Sequence, residues 1–190
     1  IMAALEKHGI ADRTMIIFTS DNGGLLGPTN NAPLRSGKGY AYEGGIRVPL
    51  LIKWPGVVKP GTTSAEPVIS VDYFPTIAEV TGLDLPEGRD IDGLSLAKHL
   101  SSQGRQKLDR DAIFWHFPHY RHNPGPYSII REGDWKLIKF YEGQVELFDL
   151  KNDLGETKNL ASAMPKKVKV LESRLLAHLK SAGAKMPKLI

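Results

Sequence analysis

The chain has 190 residues, of which 41% are hydrophobic and 24% charged, an ordinary balance for a globular protein of one or two domains. It contains no cysteine, which excludes disulfides and thiolate metal sites, and no apolar run approaches the ~20 residues of a membrane span. The net charge of +4 comes from residues 151–190. A solvated helix face explains this excess better than nucleic-acid binding, because no arginine-rich or aromatic stripe accompanies it.

The first part of the chain has the alternating helix and strand patterns of an α/β fold. Residues 1–9 predict the end of an amphipathic helix, and the apolar runs at 14–19 and 48–52 predict buried strands. The loop between these strands, residues 23–46, has a length that usually marks a functional segment. Three further elements are expected, a short strand at 68–70 and helices at 72–81 and 94–100.

After a polar linker at 101–110 the apolar pattern changes to period two, which is typical of antiparallel strands. Four strands with tight turns are expected, at 112–116, 127–131, 135–141 and 145–149. A final helix at 164–182 carries an apolar stripe, which we expect to cover one face of this sheet. The sequence therefore predicts two domains, an α/β part at 1–105 and an antiparallel-sheet subdomain with a terminal helix at 106–190.

The sequence Ser20-Asp21-Asn22-Gly23-Gly24 directly follows the first predicted strand. Ligands bind at the carboxyl ends of strands in open α/β sheets. The side chains of Asp21 and Asn22 offer hard oxygen donors there, which suit Ca²⁺ or Mg²⁺ better than Zn²⁺. The alternative is an ordinary Asx turn, since the sequence Asp-Asn-Gly favours turns in any protein.

A glycine-rich segment at 33–49 contains four glycines, two arginines and one lysine. Lys38 stands between Gly37 and Gly39, and glycines let the backbone approach a ligand closely. The pattern indicates that Lys38 presents its ammonium to an anion, although it is not a Walker loop, which requires GxxxxGK[ST]. The alternative is a flexible surface loop with solvated charges.

Together these segments resemble the sulfatase family of the alkaline-phosphatase-like superfamily. The resembling segments are SDNGG, LRSGKGYAYEGGIRVPLLIKWPG, VDYFPTIAEVTG, DIDGLSL and REGDWKLIKFYEGQVELFDLKNDLGETKNLA. The resemblance implies the C-terminal part of an α/β catalytic domain, followed by the antiparallel subdomain. It also implies a metal site, usually Ca²⁺, at Asp21 and Asn22, and a catalytic, sulfate-contacting role for Lys38. Glu43 and Arg47 match positions that we interpret as an ion pair bracing the loop.

The family's nucleophile is absent from this chain. Sulfatases use a formylglycine made from a Cys/Ser-x-Pro-x-Arg motif, and the chain contains no cysteine and no Ser-x-Pro-x-Arg. The resemblance therefore implies a C-terminal fragment that is inactive alone and has the missing N-terminal half of the same protein as its partner. The implied substrates are sulfated carbohydrates or aryl sulfates, and the implied location is periplasmic, secreted or lysosomal.

Three histidines and four aromatic residues stand among residues 114–123. Neither a cysteine nor an HExxH pattern accompanies them, which disfavours zinc. Aromatic faces with polar donors suit carbohydrates. The resemblance favours His116 or His119 as substrate-binding residues at the edge of the cleft, with a structural role for at least one of them left open.

Two other functions remain open at this stage. A phosphodiesterase or phosphomutase of the same superfamily would bind two zinc ions through Asp and His ligands, but residues 14–24 contain no histidine. A non-catalytic carbohydrate-binding or scaffolding module is supported only by residues 114–123. It would leave Asp21, Asn22 and Lys38 unexplained.

Overall fold

The computed structural model describes residues 1–122 and 124–188, which divide into two compact units. The first comprises residues 1–18 and 50–110, and the second comprises residues 19–49 together with those from 111 onward. In chain order the elements are α1 (Met2–Lys7), β1 (Ile16–Thr19), α2 (Glu43–Ile46), β2 (Leu50–Lys53), α3 (Tyr73–Thr81), α4 (Ala97–Ser101), β3 (Ile113–Phe117), β4 (Tyr127–Glu132), β5 (Trp135–Phe140), β6 (Val145–Asp149) and α5 (Pro165–Ser181). None of these described helices is long and apolar enough to cross a membrane.

In the first unit, β1 pairs with β2 in a two-stranded sheet. Helix α3 ends at Gly82, which adopts a left-handed conformation with φ of 70°. This is the usual C-terminal signal of a helix, and the sequence predicted it.

The predicted strand at 68–70 is wrong. Residues 70–72 form a 3₁₀ turn instead, because the Ile69 N–H donates to Asp72 Oδ2 at 2.9 Å and not to a neighbouring strand.

Asp72 organises the centre of the first unit. Its carboxylate is fully buried and accepts the N–H of Leu94 at 2.9 Å through Oδ1. The Arg110 guanidinium binds both carboxylate oxygens, a bidentate pairing that satisfies the buried charge. Asp72, within the VDYFPT motif, therefore holds together the chain at Ile69, at Leu94 and at Arg110.

The second unit is built on a four-stranded antiparallel sheet in the order β3-β4-β5-β6, as predicted. In the register, Ile129 lies opposite Trp115 on one side and opposite Ile138 on the other. Both faces of the sheet are covered. Leu171, Leu175 and Leu179 of α5 pack on one face, which confirms the predicted cover.

The other face of this sheet is covered by the glycine-rich segment. Ala41 and Tyr42 are buried against Ile129, Ile138 and the ring of Phe148. Burial of this kind stabilises the segment by ~25 cal/mol for each Å² of apolar surface removed from water. The loop that carries Lys38 is therefore packed on a rigid sheet and does not hang free in solvent.

Candidate functional site

The Ser20–Gly24 turn and the glycine-rich segment form one connected structure. The Gly23 N–H donates to the Gly45 carbonyl at 3.0 Å, and the Lys38 N–H donates to the Gly24 carbonyl at 3.0 Å. The Asn31 amide adds a bridge, because its Nδ2 donates to the carbonyls of Gly24 and Ser36 at 2.8 and 3.0 Å. These bonds bring together the two motifs that the sequence assigned to metal and to sulfate.

Gly23 lies where no side chain fits. A Cβ atom on this residue would lie 1.7 Å from the carbonyl oxygen of Gly44. The two motifs approach each other backbone to backbone at this point, which explains why a glycine follows the Asp-Asn pair.

Asp21 and Asn22 have oxygens free for a cation. Asp21 is exposed, and its carboxylate has no hydrogen bond or ion pair with the described residues. The Asn22 Nδ2 donates to the Gly23 carbonyl at 3.1 Å, which leaves the amide oxygen without a partner in the described part of the chain. This donor set fits Ca²⁺ or Mg²⁺.

The described residues do not complete a metal shell. Among residues 1–122 and 124–188, no three His, Cys, Asp or Glu side chains come close enough together to hold a metal ion. Because Ca²⁺ takes six to eight oxygens, a calcium site at Asp21 and Asn22 needs further ligands.

Lys38 is half-buried, and its ammonium has no acidic partner within the described residues. The backbone on either side of it is fixed, since Lys38 itself donates to Gly24 and the Tyr40 N–H donates to Gly37 at 3.0 Å. An unpaired cation on a fixed backbone is suited to bind an anion.

A buried charge cluster, Glu43, Lys136 and Glu156, anchors the end of the glycine-rich segment. The fully buried Lys136 Nζ lies 3.0 Å from Glu43 Oε1 and 2.8 Å from Glu156 Oε1. The second oxygen of Glu156 accepts the Glu43 N–H at 2.6 Å. The cluster thus ties the start of α2 to strand β5 and to the loop after β6.

Two arginines add positive charge around this cluster. Glu43 Oε2 lies 3.6 Å from Arg47 and 4.0 Å from Arg131. The expected Glu43–Arg47 pair is therefore present, although Lys136 is the nearer cation. Burial raises the pKa of Glu156, and the charge of Lys136 opposes that rise.

Arg35 ties the glycine-rich segment to the same region. Its Nη1 donates to the Glu156 carbonyl at 2.9 Å, and its guanidinium lies 3.7 Å from the centre of the Tyr42 ring. Burial and the nearby Glu146 charge raise the Tyr42 pKa to about 12, so the hydroxyl stays neutral beside the arginine. Arg35 is a structural cation here.

The histidines of residues 114–123 have different environments. His116 uses both ring nitrogens inside the protein, 2.7 Å from Ser128 Oγ and 2.9 Å from the Lys185 carbonyl. His119 is exposed, with its ring edge-on to Phe117 at 5.2 Å. These contacts indicate a structural role for His116, and substrate contact by His116 or His119 stays a prediction.

His122 is the histidine that lies against the lysine loop. Its ring stacks on Tyr40, with centroids 4.3 Å apart and planes 4° from parallel. Sequence reasoning gave this residue no role. Its only sequence signal was its place in the histidine-rich stretch, and the pairing with Tyr40 depends on the fold.

The fold is that of an α/β chain with an antiparallel C-terminal sheet, and the comparisons with known proteins identify its family. Residues 36–185 match the family described as "N-sulphoglucosamine sulphohydrolase, C-terminal". The chain belongs to the sulfatase family and carries its C-terminal region.

Individual relatives support the same assignment. A "Sulfatase" of Formosa agariphila is 45% identical over 170 residues, covering 84% of this chain and 31% of that protein. The crystal structure of Ps i-CgsB with k-i-k-neocarrahexaose matches with a TM-score of 0.82 at 31% identity, covering 93% of this chain and 38% of that one. A complex with D-glucosamine-2-N,6-O-disulfate matches with a TM-score of 0.78 at 34% identity, covering 94% and 36%. The predicted α/β fold of alkaline-phosphatase-like type is confirmed, and the chain spans about a third of the length of these relatives.

Proposed function

We propose that this chain supplies part of the active site of a sulfatase that hydrolyses sulfate esters of a sulfated carbohydrate or an aryl sulfate. The observation that carries the proposal is the bond from the Lys38 N–H to the Gly24 carbonyl. It holds the backbone of Lys38, whose ammonium has no acidic partner among the described residues, against the turn that carries Asp21 and Asn22. A cation-binding turn joined to a free lysine is the arrangement that a sulfate ester requires.

Each residue has a distinct task in this proposal. Lys38 neutralises a sulfuryl oxygen as negative charge develops on it. Asp21 and Asn22 hold Ca²⁺, or Mg²⁺, which when bound supplies Lewis-acid stabilisation of the same group. The formylglycine nucleophile and the remaining metal ligands belong to the N-terminal half of the same protein, which is therefore the obligate partner. His116 and His119 are the histidines expected near the substrate.

Two alternatives are disfavoured by specific observations. A zinc-dependent phosphodiesterase would use histidine as well as aspartate ligands at the turn that follows β1, and residues 14–24 contain no histidine. A carbohydrate-binding module requires neither the free Lys38 ammonium nor the backbone bonds that join it to the Asp21–Asn22 turn. The location of the protein, whether periplasm, cell exterior or lysosome, stays an expectation from the family.

The test uses the complete enzyme that carries this chain, with 4-nitrophenyl sulfate as substrate. Lys38→Ala is expected to lower kcat/KM ~10²–10³-fold, the usual cost of removing one preorganised charge contact. Lys53→Ala, at an exposed lysine on β2, is the matched control and should change the rate less than about threefold, because surface substitutions are usually worth under ~0.5 kcal/mol. Equal rates for the two variants, or faster hydrolysis of bis(4-nitrophenyl) phosphate by the wild type, would overturn the proposal.

The metal assignment has its own experiment. The complete enzyme is stripped with a chelator, and activity is restored by titrating Ca²⁺ or Mg²⁺. Asp21→Asn should raise the Ca²⁺ concentration required for half-recovery at least ~10-fold, because Ca²⁺ affinity depends on ligand charge. Asp12→Asn, at an exposed position in the first unit, is the control. Unchanged metal dependence in Asp21→Asn would exclude Asp21 as a ligand.

A further inference from the structure

The pocket beside the lysine loop is walled mainly by aromatic residues. Its lining includes Gly39, Tyr40, Phe117, His122 and Tyr127. Phe117 and Tyr127 stack on each other with centroids 5.3 Å apart, and Tyr40 stacks on His122. The cavity has a volume of about 10 Å³, which is room for one hydroxyl group and not for a whole sugar ring.

His122 has an unused polar atom in this pocket. Its Nε2 is buried and has no hydrogen-bond partner among the described residues. An imidazole nitrogen is a donor or an acceptor in every protonation state, and leaving such an atom buried without a partner is unfavourable. By contrast, both nitrogens of His116 are engaged. The unsatisfied Nε2 of His122 therefore indicates a partner that comes from a ligand.

The position of Nε2 places that ligand next to Lys38. A Cβ atom on Gly39, the residue after Lys38, would lie 2.7 Å from His122 Nε2 and 2.9 Å from Arg121 Nε. Gly39 also has φ of 88°, so a glycine is required both by the backbone conformation and by the ring above it. Arg121, whose Nε lies close to the same point above Gly39, is exposed.

Tyr127 supplies a second polar atom at the same glycine. Its hydroxyl donates to the Gly39 carbonyl at 3.4 Å, and burial raises its pKa to about 12. The hydroxyl is therefore neutral and able to donate throughout the physiological pH range. It fixes the backbone of the lysine loop against the pocket wall.

We propose that His122 is a specificity-determining residue for a sulfated sugar. Its Nε2 hydrogen-bonds a hydroxyl group of the sugar near the sulfate ester, and the small pocket beside Gly39 holds that one hydroxyl. This inference rests on the proposed function of Lys38, since it takes the sulfate to be bound one residue from Gly39. It predicts that the enzyme prefers sulfated sugars to aryl sulfates, which carry no sugar hydroxyls.

The first experiment compares two kinds of substrate in the complete enzyme. The probes are 4-nitrophenyl sulfate and the best substrate within a panel of O-sulfated hexoses and hexosamines. His122→Ala should lower kcat/KM for the sugar ~10–100-fold, the equivalent of one lost buried hydrogen bond, and change it less than about threefold for the aryl sulfate. His122→Gln should recover part of the loss, because it retains a polar group. His8→Ala, at an exposed position on the first unit, is the control.

An equal loss on both substrates would show a structural role for His122, and no loss on the sugar would overturn the inference directly.

The second experiment separates this inference from the proposed function. The complete enzyme, labelled with ¹⁵N-histidine, is titrated with glucosamine 6-sulfate and, separately, with sodium sulfate. A shift of the His122 ring resonance with the sugar alone supports the inference, even if the complete enzyme hydrolyses no sulfate ester. A resonance unmoved by the sugar overturns it.

Discussion

The ammonium of Lys136, which is fully buried, lies 3.0 Å from Glu43 Oε1 across 93 positions of sequence. This contact and the 2.8 Å contact with Glu156 fix the start of α2 on the C-terminal sheet. Glu43 follows Lys38 by only five residues. A charge cluster in the sheet thus fixes the backbone shortly after Lys38.

The first prediction concerns this cluster. Lys136→Met should destabilise the second unit by about 3–5 kcal/mol, because two buried carboxylates lose their compensating charge. The measurement is urea unfolding followed by the fluorescence of Trp115 and Trp135. Lys151→Met, at an exposed lysine on the loop after β6, is the control and should cost little. A loss below about 1 kcal/mol for Lys136→Met would show that water reaches the cluster.

Much of the second unit could be predicted because its contacts are local. Strands β3 to β6 follow one another through short connections, and their period-two pattern is visible in the sequence. The apolar residues of α5 recur at helical spacing and form one face of the helix. Because that face must be buried, its contact with the sheet could be predicted. These features depend on residues that are close together in the chain, so they can be predicted from one sequence.

Contacts between distant residues could not be predicted in the same way. The packing of residues 19–49 with those after 111 depends on Ala41 and Tyr42 meeting a sheet 90 to 100 positions later, and no periodicity encodes that. The wrong strand at 68–70 has a related cause, since Asp72 binds backbone N–H groups that a strand would have used. His122 was missed because its partner, Tyr40, belongs to another part of the chain.

The second prediction concerns the close backbone approach at Gly23. Gly23→Ala should separate the two motifs, because its Cβ would lie 1.7 Å from a carbonyl oxygen. We expect loss of most sulfatase activity in the complete enzyme and a destabilisation of ~1–3 kcal/mol from overpacking. Gly56→Ala is the control, since it has φ of 74° and open space around it. Its expected cost is ~1–2 kcal/mol from the left-handed backbone alone, with activity retained. Full activity in Gly23→Ala would contradict the proposed joint site.

The third prediction is a pH dependence at Asp153. Burial acts to raise the pKa of this carboxyl, but hydrogen bonds from Thr157 and Lys158 outweigh it and hold the pKa below its usual value of 3.8. A lowered folded pKa contributes stability that is present above pH 3.8 and is lost as the pH falls through the folded pKa. The difference in unfolding free energy between the wild type and Asp153→Asn should therefore shrink between pH 6 and pH 3. A gap that widens for Asp153→Asn as the pH falls over this range would refute the assignment.

The fourth prediction is that the 190-residue chain hydrolyses no sulfate ester by itself. It lacks a Cys/Ser-x-Pro-x-Arg motif, so it has no residue that could become the nucleophile. The assay is release of 4-nitrophenol from 4-nitrophenyl sulfate by chain purified from a host without sulfatase genes. The Lys38→Ala variant serves as the control for contaminating enzyme. Turnover that exceeds the buffer blank and disappears in Lys38→Ala would mean that the chain contains a complete site.

The last prediction concerns apolar surface on the first unit. Phe18 on β1 and Leu51 on β2 are 62% and 60% exposed, and Phe74 on α3 is 51% exposed. Strand residues of this kind are normally covered in an α/β sheet, and uncovered apolar patches promote association. We expect the chain alone to self-associate at micromolar concentration, or to remain monomeric only when the N-terminal half of the protein is bound to it. Size-exclusion chromatography with light scattering measures this directly.

The double variant Phe18→Ser/Leu51→Ser should shift the chain towards monomer. The control Val170→Ser, at an equally exposed apolar position on α5, should not. A monomeric wild-type chain that binds no hydrophobic dye would show that this surface needs no partner, and the proposal that another part of the protein covers it would fail.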